Sequence, residues 1–372
     1  MKFIVSTNSL LRPLQLIDGV VSQNTVLPIL EDFLFEIKAG KLTVSATDLE
    51  TSMSTTLDVE SKDNGKIAVP AKLLMQMLKG LNDQPLTFSV NEKDFGVIVM
   101  TNNGEYRLAG ESGDDFPRIP EPEDMKDSKL PASVLVNAIS KTLFAVGTDD
   151  MRPAMTGVYF DLGSSDLTFV STDAHRLVRY IRKDSKTNKP ASFIVPRKAL
   201  TLLGAALPPD DTQVAISYNQ SNAFFRFGNT NLICRLIDAR FPDYQTVIPA
   251  EHPNKLTIQV SELLNTLRRI VNFANKTTYQ VSFKIKGSEL EITSRDIDFS
   301  NEGNEKLICA YSGEDMEIAF NGKFLIDMLS SIGTDEVNFE FSQPTRACLL
   351  IPSTQKDNED LLMLVMPIMI NN

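Results

Sequence analysis

The sequence has 372 residues, 42% hydrophobic and 23% charged, with 48 acidic against 37 basic residues and a net charge of −11. That length exceeds one ordinary domain and suits two or three, each able to bury a core, while the acidic balance argues against binding nucleic acid over the whole surface. No apolar run is long enough to span a bilayer, and the opening MKFIVSTNSLLRPLQ is too short in apolar residues for a signal peptide, so the chain is expected in the cytoplasm with no membrane partner.

In chain order, KFIVSTNSLLRPL from Lys2 reads as a strand, a Ser cap and a helix, with Leu10, Leu14, Ile17 and Val21 on one helical face. LTVSATDLETS from Leu42 is a strand ending in a polar turn, and KIAVPAKLLMQMLKGL from Lys66 is a strand running into a second helix. FGVIVMTNNGEYRLAG from Phe95 reads as strands around an Asn/Gly turn, and Phe116-Pro117 closes the series. The series then restarts with KLPASVLVNAI from Lys129, where Leu135, Ala138, Leu143 and Val146 approximate a helical face. LTFVSTDAHRL from Leu167, SFIVPRKALTLLGAAL from Ser192 and Phe241-Pro242 follow. A third pass gives KLTIQVSELLNTL from Lys255, LEITSRDIDFS from Leu290, EIAFNGKFLIDMLSSI from Glu317 and Met366-Pro367.

The polar turns lie 125 and 123 residues apart, and the closing Pro pairs are 125 residues apart each time. Three copies of one unit therefore cover nearly the whole chain. Each copy orders strand, helix, strands, helix, strands, so the fold class is α+β, with two helices on antiparallel sheet per copy. The polar, Pro-bearing stretches 121–128 and 250–254 place the domains at 1–124, 125–252 and 253–372. Asp48, Asp173 and Asp296 recur at the turn, where a carboxylate caps backbone N–H groups. Cys234, Cys309 and Cys348 stand singly in apolar stretches, which predicts buried reduced thiols and no disulfide frame or metal site.

Charge is sorted by element. The six expected helices carry Arg12, Lys72, Lys79, Lys141, Arg197, Lys198, Arg268, Arg269 and Lys323, against only Asp18, Glu262 and Asp327. Glu forms helices as well as Lys does, so its scarcity there is not a matter of propensity. A cationic helical surface on an acidic chain fits loose, salt-sensitive phosphate contact without base reading. GxxxxGK[ST], GxGxxG after a strand, HExxH and GxSxG are all absent. Ser171, Thr172, Asp173 and His175 suggest a hydrolase triad, but the same turn in the other copies lacks the histidine, so the turn precedes any chemistry. No catalytic residue, metal or cofactor is expected.

Thr172-Asp173-Ala174-His175-Arg176-Leu177, Ile194 to Lys198, Arg240-Phe241-Pro242-Asp243-Tyr244 and Val365-Met366-Pro367-Ile368 together resemble the β sliding clamps of bacterial replicative DNA polymerase, from the first strand to the C-terminus. The resemblance implies a head-to-tail homodimer, a pseudo-sixfold ring that encircles double-stranded DNA without sequence preference, near the nucleoid. It implies DNA-facing roles for Arg12, Lys72, Lys79, Lys141, Arg197, Lys198, Arg268 and Arg269. It implies that the replicative polymerase subunit, the clamp loader and repair polymerases dock short linear peptides between the second and third domains. Matching positions are Met155, Thr172, Ala174, His175, Arg176, Leu177, Pro242, Val247, Asn321, Phe324, Met366, Pro367 and Ile368. His175 and Arg176 would hold the peptide's polar backbone or a carboxylate. For the ring contact it points to Tyr106 and Leu108 against Ile270 and Phe273, with Glu302 and Glu305 facing first-domain cations. The chain departs from the family in Ala174, where Gly is common, in Thr246, and in a longer tail after Pro367.

Overall fold

The computed structural model describes residues 1–23, 25–121 and 126–369. The expected boundary at 124/125 and the tail residues Ile370, Asn371 and Asn372 lie outside the described residues. The described residues hold six α-helices: α1 (Thr7–Ile17), α2 (Ala71–Lys79), α3 (Ala132–Thr142), α4 (Arg197–Ala206), α5 (Val260–Ile270) and α6 (Gly322–Ile332), two for each copy of the repeat.

The chain forms two compact units, Met1–Val136 with Lys198–Leu236, and Asn137–Arg197 with Ile237–Asn372. The first holds a four-stranded sheet in the order Lys2–Ser6, Pro85–Val90, Gly96–Met100, Glu105–Ala109. It also holds a nine-stranded sheet in which Thr230–Arg235 of the second copy pairs with Thr51–Asp58 of the first, from Thr230↔Thr55 to Cys234↔Thr51. The second unit repeats the plan. Its four-stranded sheet runs Asn301–Ile308, Glu289–Asp296, Gln280–Lys286, Met316–Asn321. In its nine-stranded sheet Arg176–Arg182 of the second copy pairs with Glu359–Val365 of the third, from Arg176↔Val365 to Arg182↔Glu359. Neighbouring copies thus share main-chain hydrogen bonds as well as side-chain packing.

The repeat extends to single bonds. The first backbone N–H of the leading helix in each copy donates to a carbonyl in the loop after the second helix: Thr7 to Gln84 at 2.9 Å, Ala132 to Thr212 at 2.8 Å and Val260 to Asp335 at 2.8 Å. These bonds satisfy one of the donors that every helix start leaves open. The Ser cap expected in the first copy forms, where the Ser6 hydroxyl accepts from Ser9 N at 3.3 Å. In the third copy Gln259 precedes α5 and makes no side-chain cap, so the loop carbonyl serves instead. At α6 the Asn321 side chain accepts from the N–H groups of Lys323 and Phe324, and Gly333 ends the helix at φ 81°. That left-handed residue suits glycine.

Each copy buries an aromatic cluster between helices and sheet. Phe3 stacks on Phe88 at 4.6 Å with Phe35 beside them; Phe160 packs edge-on to Phe169 at 4.9 Å; Phe283 meets Phe320 at 5.6 Å. Such pairs add about 0.5–1.5 kcal/mol each beyond their buried area. All three cysteines are buried, as expected, and burial pushes the Cys234 thiol up to about 12. No described helix is long and apolar enough to cross a membrane.

Candidate peptide pocket, cationic helices and open sheet edges

The turn 173–176 lies at the centre of the expected pocket residues. Asp173 Oδ1 accepts from His175 N at 3.0 Å and Arg176 N at 2.9 Å, while Thr172 Oγ1 accepts from Ala174 N at 3.1 Å and donates to Arg176 O at 2.8 Å. The same arrangement occurs in the first copy, where Asp48 Oδ1 accepts from Glu50 N and Thr51 N. Both turns force their second residue into the left-handed region, Leu49 at φ 77° and Ala174 at φ 75°. A side chain there costs about 1–2 kcal/mol, which explains why glycine suits position 174. In the third copy Asp296 Oδ1 accepts from Asp298 N at 3.2 Å. The recurring aspartates are turn residues in all three copies.

Around this turn the second unit gathers the expected pocket residues from distant parts of the chain. Met366 N donates to His175 O at 2.8 Å, and Ile368 N donates to Ala319 O at 2.7 Å, so the tail straps the turn to the edge strand Met316–Asn321. The His175 ring stacks on Phe324 with centroids 6.2 Å apart. Leu177 is buried in a cluster with Val170, Ile194, Phe241 and Leu364, on which Ala154, Tyr244 and Ile248 also pack. The short helical turn Tyr244–Val247 places Val247 on the outside of that cluster, 53% exposed, beside exposed Pro242. Met155, Phe324, Pro367 and Ile368 are half-buried and Met366 is 41% exposed. The result is an apolar, partly open surface whose floor is core and whose rim is Val247, Met366 and His175. Flexible and compact apolar groups of this kind accept Leu or Phe anchors.

Two expected roles change. The Arg176 side chain is 9% exposed, with Nε on Asp173 Oδ2 at 2.9 Å, Nη1 on Asp327 Oδ2 at 2.7 Å and Nη2 on the Phe144 carbonyl at 2.7 Å. Its guanidinium also lies 4.5 Å from the Phe324 ring centre and 5.3 Å from that of Phe144. It is therefore a positioning residue that ties the turn to α6 and not a group held out to a peptide carboxylate. Asn321 spends its side-chain oxygen on capping α6. Sequence reasoning missed Asp327, the lone acid of α6, and Phe144; their signal was there only in Asp327 being the exception on a basic helix set.

Among the basic residues, Arg12, Lys72, Lys79, Arg197, Lys198 and Arg268 are exposed, as DNA-facing groups must be. Lys198 pairs with Asp48. Lys141 does not belong with them. It is half-buried, with Nζ donating to the Ser331 and Ile332 carbonyls at the C-terminus of α6, and burial lowers its pKa. An ammonium at a helix C-terminus satisfies open carbonyls and faces the negative end of the helix dipole. Lys141→Ala is accordingly expected to cost about 1–2 kcal/mol of stability in a urea titration and to leave the salt dependence of DNA retention unchanged; Lys79→Ala does the reverse.

The ring-contact residues divide as well. Each unit leaves one edge of its four-stranded sheet open, at Glu105–Ala109 and at Asn301–Ile308. Tyr106 and Phe273 are 41% and 42% exposed, but Leu108 and Ile270 are buried in their own units and can only support a contact from behind. Glu305 accepts from Arg269 Nε at 2.8 Å, which pulls its carboxyl below the usual range, so these two expected interface and DNA residues neutralise each other. Glu302 lies 3.8 Å from Arg295 of its own chain. Among the described residues no group of three or more His, Cys, Asp or Glu side chains could hold a metal ion.

Comparison with known proteins agrees along the whole chain. Residues 1–120, 129–243 and 245–369 match the N-terminal, central and C-terminal domains of the DNA polymerase III beta subunit. The beta sliding clamp of Chlamydia pneumoniae is 30% identical with 100% of both chains covered, and that of Staphylococcus epidermidis is 28% identical over 99% of each. The crystal structure of the Pseudomonas aeruginosa sliding clamp, 28% identical, superposes with a TM-score of 0.93 over 100% of both chains. The beta subunit of Thermotoga maritima, 27% identical, gives 0.91 over the same coverage. With three clamp domains in series and relatives matched end to end, the chain belongs to the DNA polymerase III beta-subunit family, the bacterial sliding clamps.

Proposed function

We propose that two copies of this chain close head to tail into a ring around duplex DNA, and that the ring holds partner proteins by short linear peptides seated in the pocket of the second unit. As a sliding clamp the chain is a processivity subunit of DNA polymerase III and not its catalytic one. In this reading the domains are 1–124, 125–252 and 253–372, half of a pseudo-sixfold ring with helices lining the hole. The open edges at Glu105–Ala109 and Asn301–Ile308 pair across the seam, with Tyr106 and Phe273 as its apolar contacts. Partners are the replicative polymerase subunit, the clamp loader and repair polymerases, met in the cytoplasm at the nucleoid.

The observation that carries this reading is the separation of charge. Arg12, Lys72, Lys79 and Arg268 stand exposed on helices and make no ion pair among the described residues, in a chain of net charge −11. Cations left open on an acidic protein suit a polyanion that is held loosely and can slide. The test is retention on circular against linearised plasmid after loading with a clamp loader and ATP, followed by a high-salt wash. Retention on circles with run-off from linear DNA is expected. Equal loss from both, with loading controls sound, overturns the ring and leaves a surface binder.

A further inference from the structure

The repeat shows twice how one copy meets the next. In the first unit, the turn 48–51 of copy one meets the start of α4 in copy two, through the Asp48–Lys198 ion pair. In the second unit, the turn 173–176 of copy two meets the start of α6 in copy three. There Arg176 lies on the Phe324 ring and bonds to Asp327, and His175 stacks on the same ring. Two halves of this junction are left over: the turn of copy three and the start of α2 in copy one.

Both leftover halves present open apolar side chains. In the third copy the ladder runs one pair farther past the aspartate, to Asp296↔Asn301, where the other two end at Thr47↔Ser52 and Thr172↔Leu177, and the turn beyond it, 297–300, carries Ile297 and Phe299. These are 80% and 75% exposed. On α2 the residue that corresponds to Phe324, by alignment of Pro70-Ala71-Lys72-Leu73 with Asn321-Gly322-Lys323-Phe324, is Leu73, which is 51% exposed. Large apolar side chains this open on both halves of a junction that is otherwise always filled mark a surface to be covered. A ladder one pair longer also carries its turn farther out, as a contact outside the chain requires.

We infer that Ile297 and Phe299 of one protomer seat on Leu73 at the start of α2 in a second copy, making the third junction of the repeat across the ring seam. This rests on the head-to-tail dimer proposed above. It adds a side-chain lock, on the turn and helix, to the pairing of the open edge strands. A head-to-tail contact repeats identically at both seams, so each substitution acts twice per ring.

The test uses the full chain. Leu73→Cys combined with Phe299→Cys is expected to give a covalent dimer on a non-reducing gel after brief diamide treatment, while either change alone does not; the native cysteines are buried. In sedimentation velocity, Phe299→Asp is expected to raise the dimer dissociation constant at least about tenfold, the effect of losing one well-placed apolar anchor. Adding Leu73→Lys to Phe299→Asp is expected to recover most of that loss. Should the unmodified chain sediment only as a monomer, the dimer reading itself falls. If the unmodified chain dimerises, yet the cysteine pair stays uncoupled and Phe299→Asp leaves the constant within twofold, this junction is wrong and the edge-strand dimer stands.

Discussion

An Arg176→Ala chain is expected to lose about 3–5 kcal/mol of stability in the second unit, the cost of removing one partner from a buried ion pair. The change deletes contacts to two carboxylates, one carbonyl and two aromatic rings, and leaves the half-buried Asp173 beside an empty space. Because Asp173 also holds the N–H groups of residues 175 and 176, the turn loosens and the His175–Met366 bond goes with it. Amide exchange at residues 173–177 should therefore quicken well before the rest of the unit, and affinity for a partner peptide should fall. Arg176→Lys keeps the charge but cannot bridge three partners, so it should recover only part of the loss. A stability change under about 1 kcal/mol in urea would contradict this assignment.

The second large effect belongs to Asp32, at the start of the strand Asp32–Lys38. It is 6% exposed, and burial, then the charges of Glu111 and Glu31, push its carboxyl up to about 7 from the ordinary 3.8. A folded-state value above the unfolded one means that the native chain binds the proton more tightly. Stability from this group is therefore greatest near pH 4, falls as pH rises through about 7, and stays low above it. Asp32→Asn removes the penalty of the buried charge. It is expected to stabilise the first unit by about 2–4 kcal/mol at pH 8 and to be near neutral at pH 4. Urea titrations of the two chains at both pH values give the comparison; equal differences at the two values would show that Asp32 does not titrate in this window.

The repeat was open to reading because each copy writes the same strand, turn and helix signals in order, and because the aspartate of the turn acts within three residues of itself. What lay hidden acts at long range. Nothing near Lys141 in the sequence announces that its ammonium closes a helix some 190 residues later. Arg176 reads as a basic residue beside a histidine, and only the folded chain brings Asp327 to it, 151 residues away. Leu108 and Ile270 were legible as apolar residues at a sheet edge and a helix end, but not as residues that face inward there. A side chain's face is set by strand twist and by neighbours, and one residue either way exchanges inside for outside. The reverse holds for Ile297, Phe299 and Ile308, which look like core in the sequence and stand exposed.

The two shared nine-stranded sheets bear on how such a molecule yields to force. Thr230–Arg235 against Thr51–Asp58, and Arg176–Arg182 against Glu359–Val365, are antiparallel ladders that join one copy to the next. A pull along such strands loads the rungs of a ladder together, in shear, so none can give way before its fellows. The joints inside the chain are on this account its stiff members, and in the ring proposed above an opening stroke must be spent elsewhere, on contacts that no covalent backbone spans.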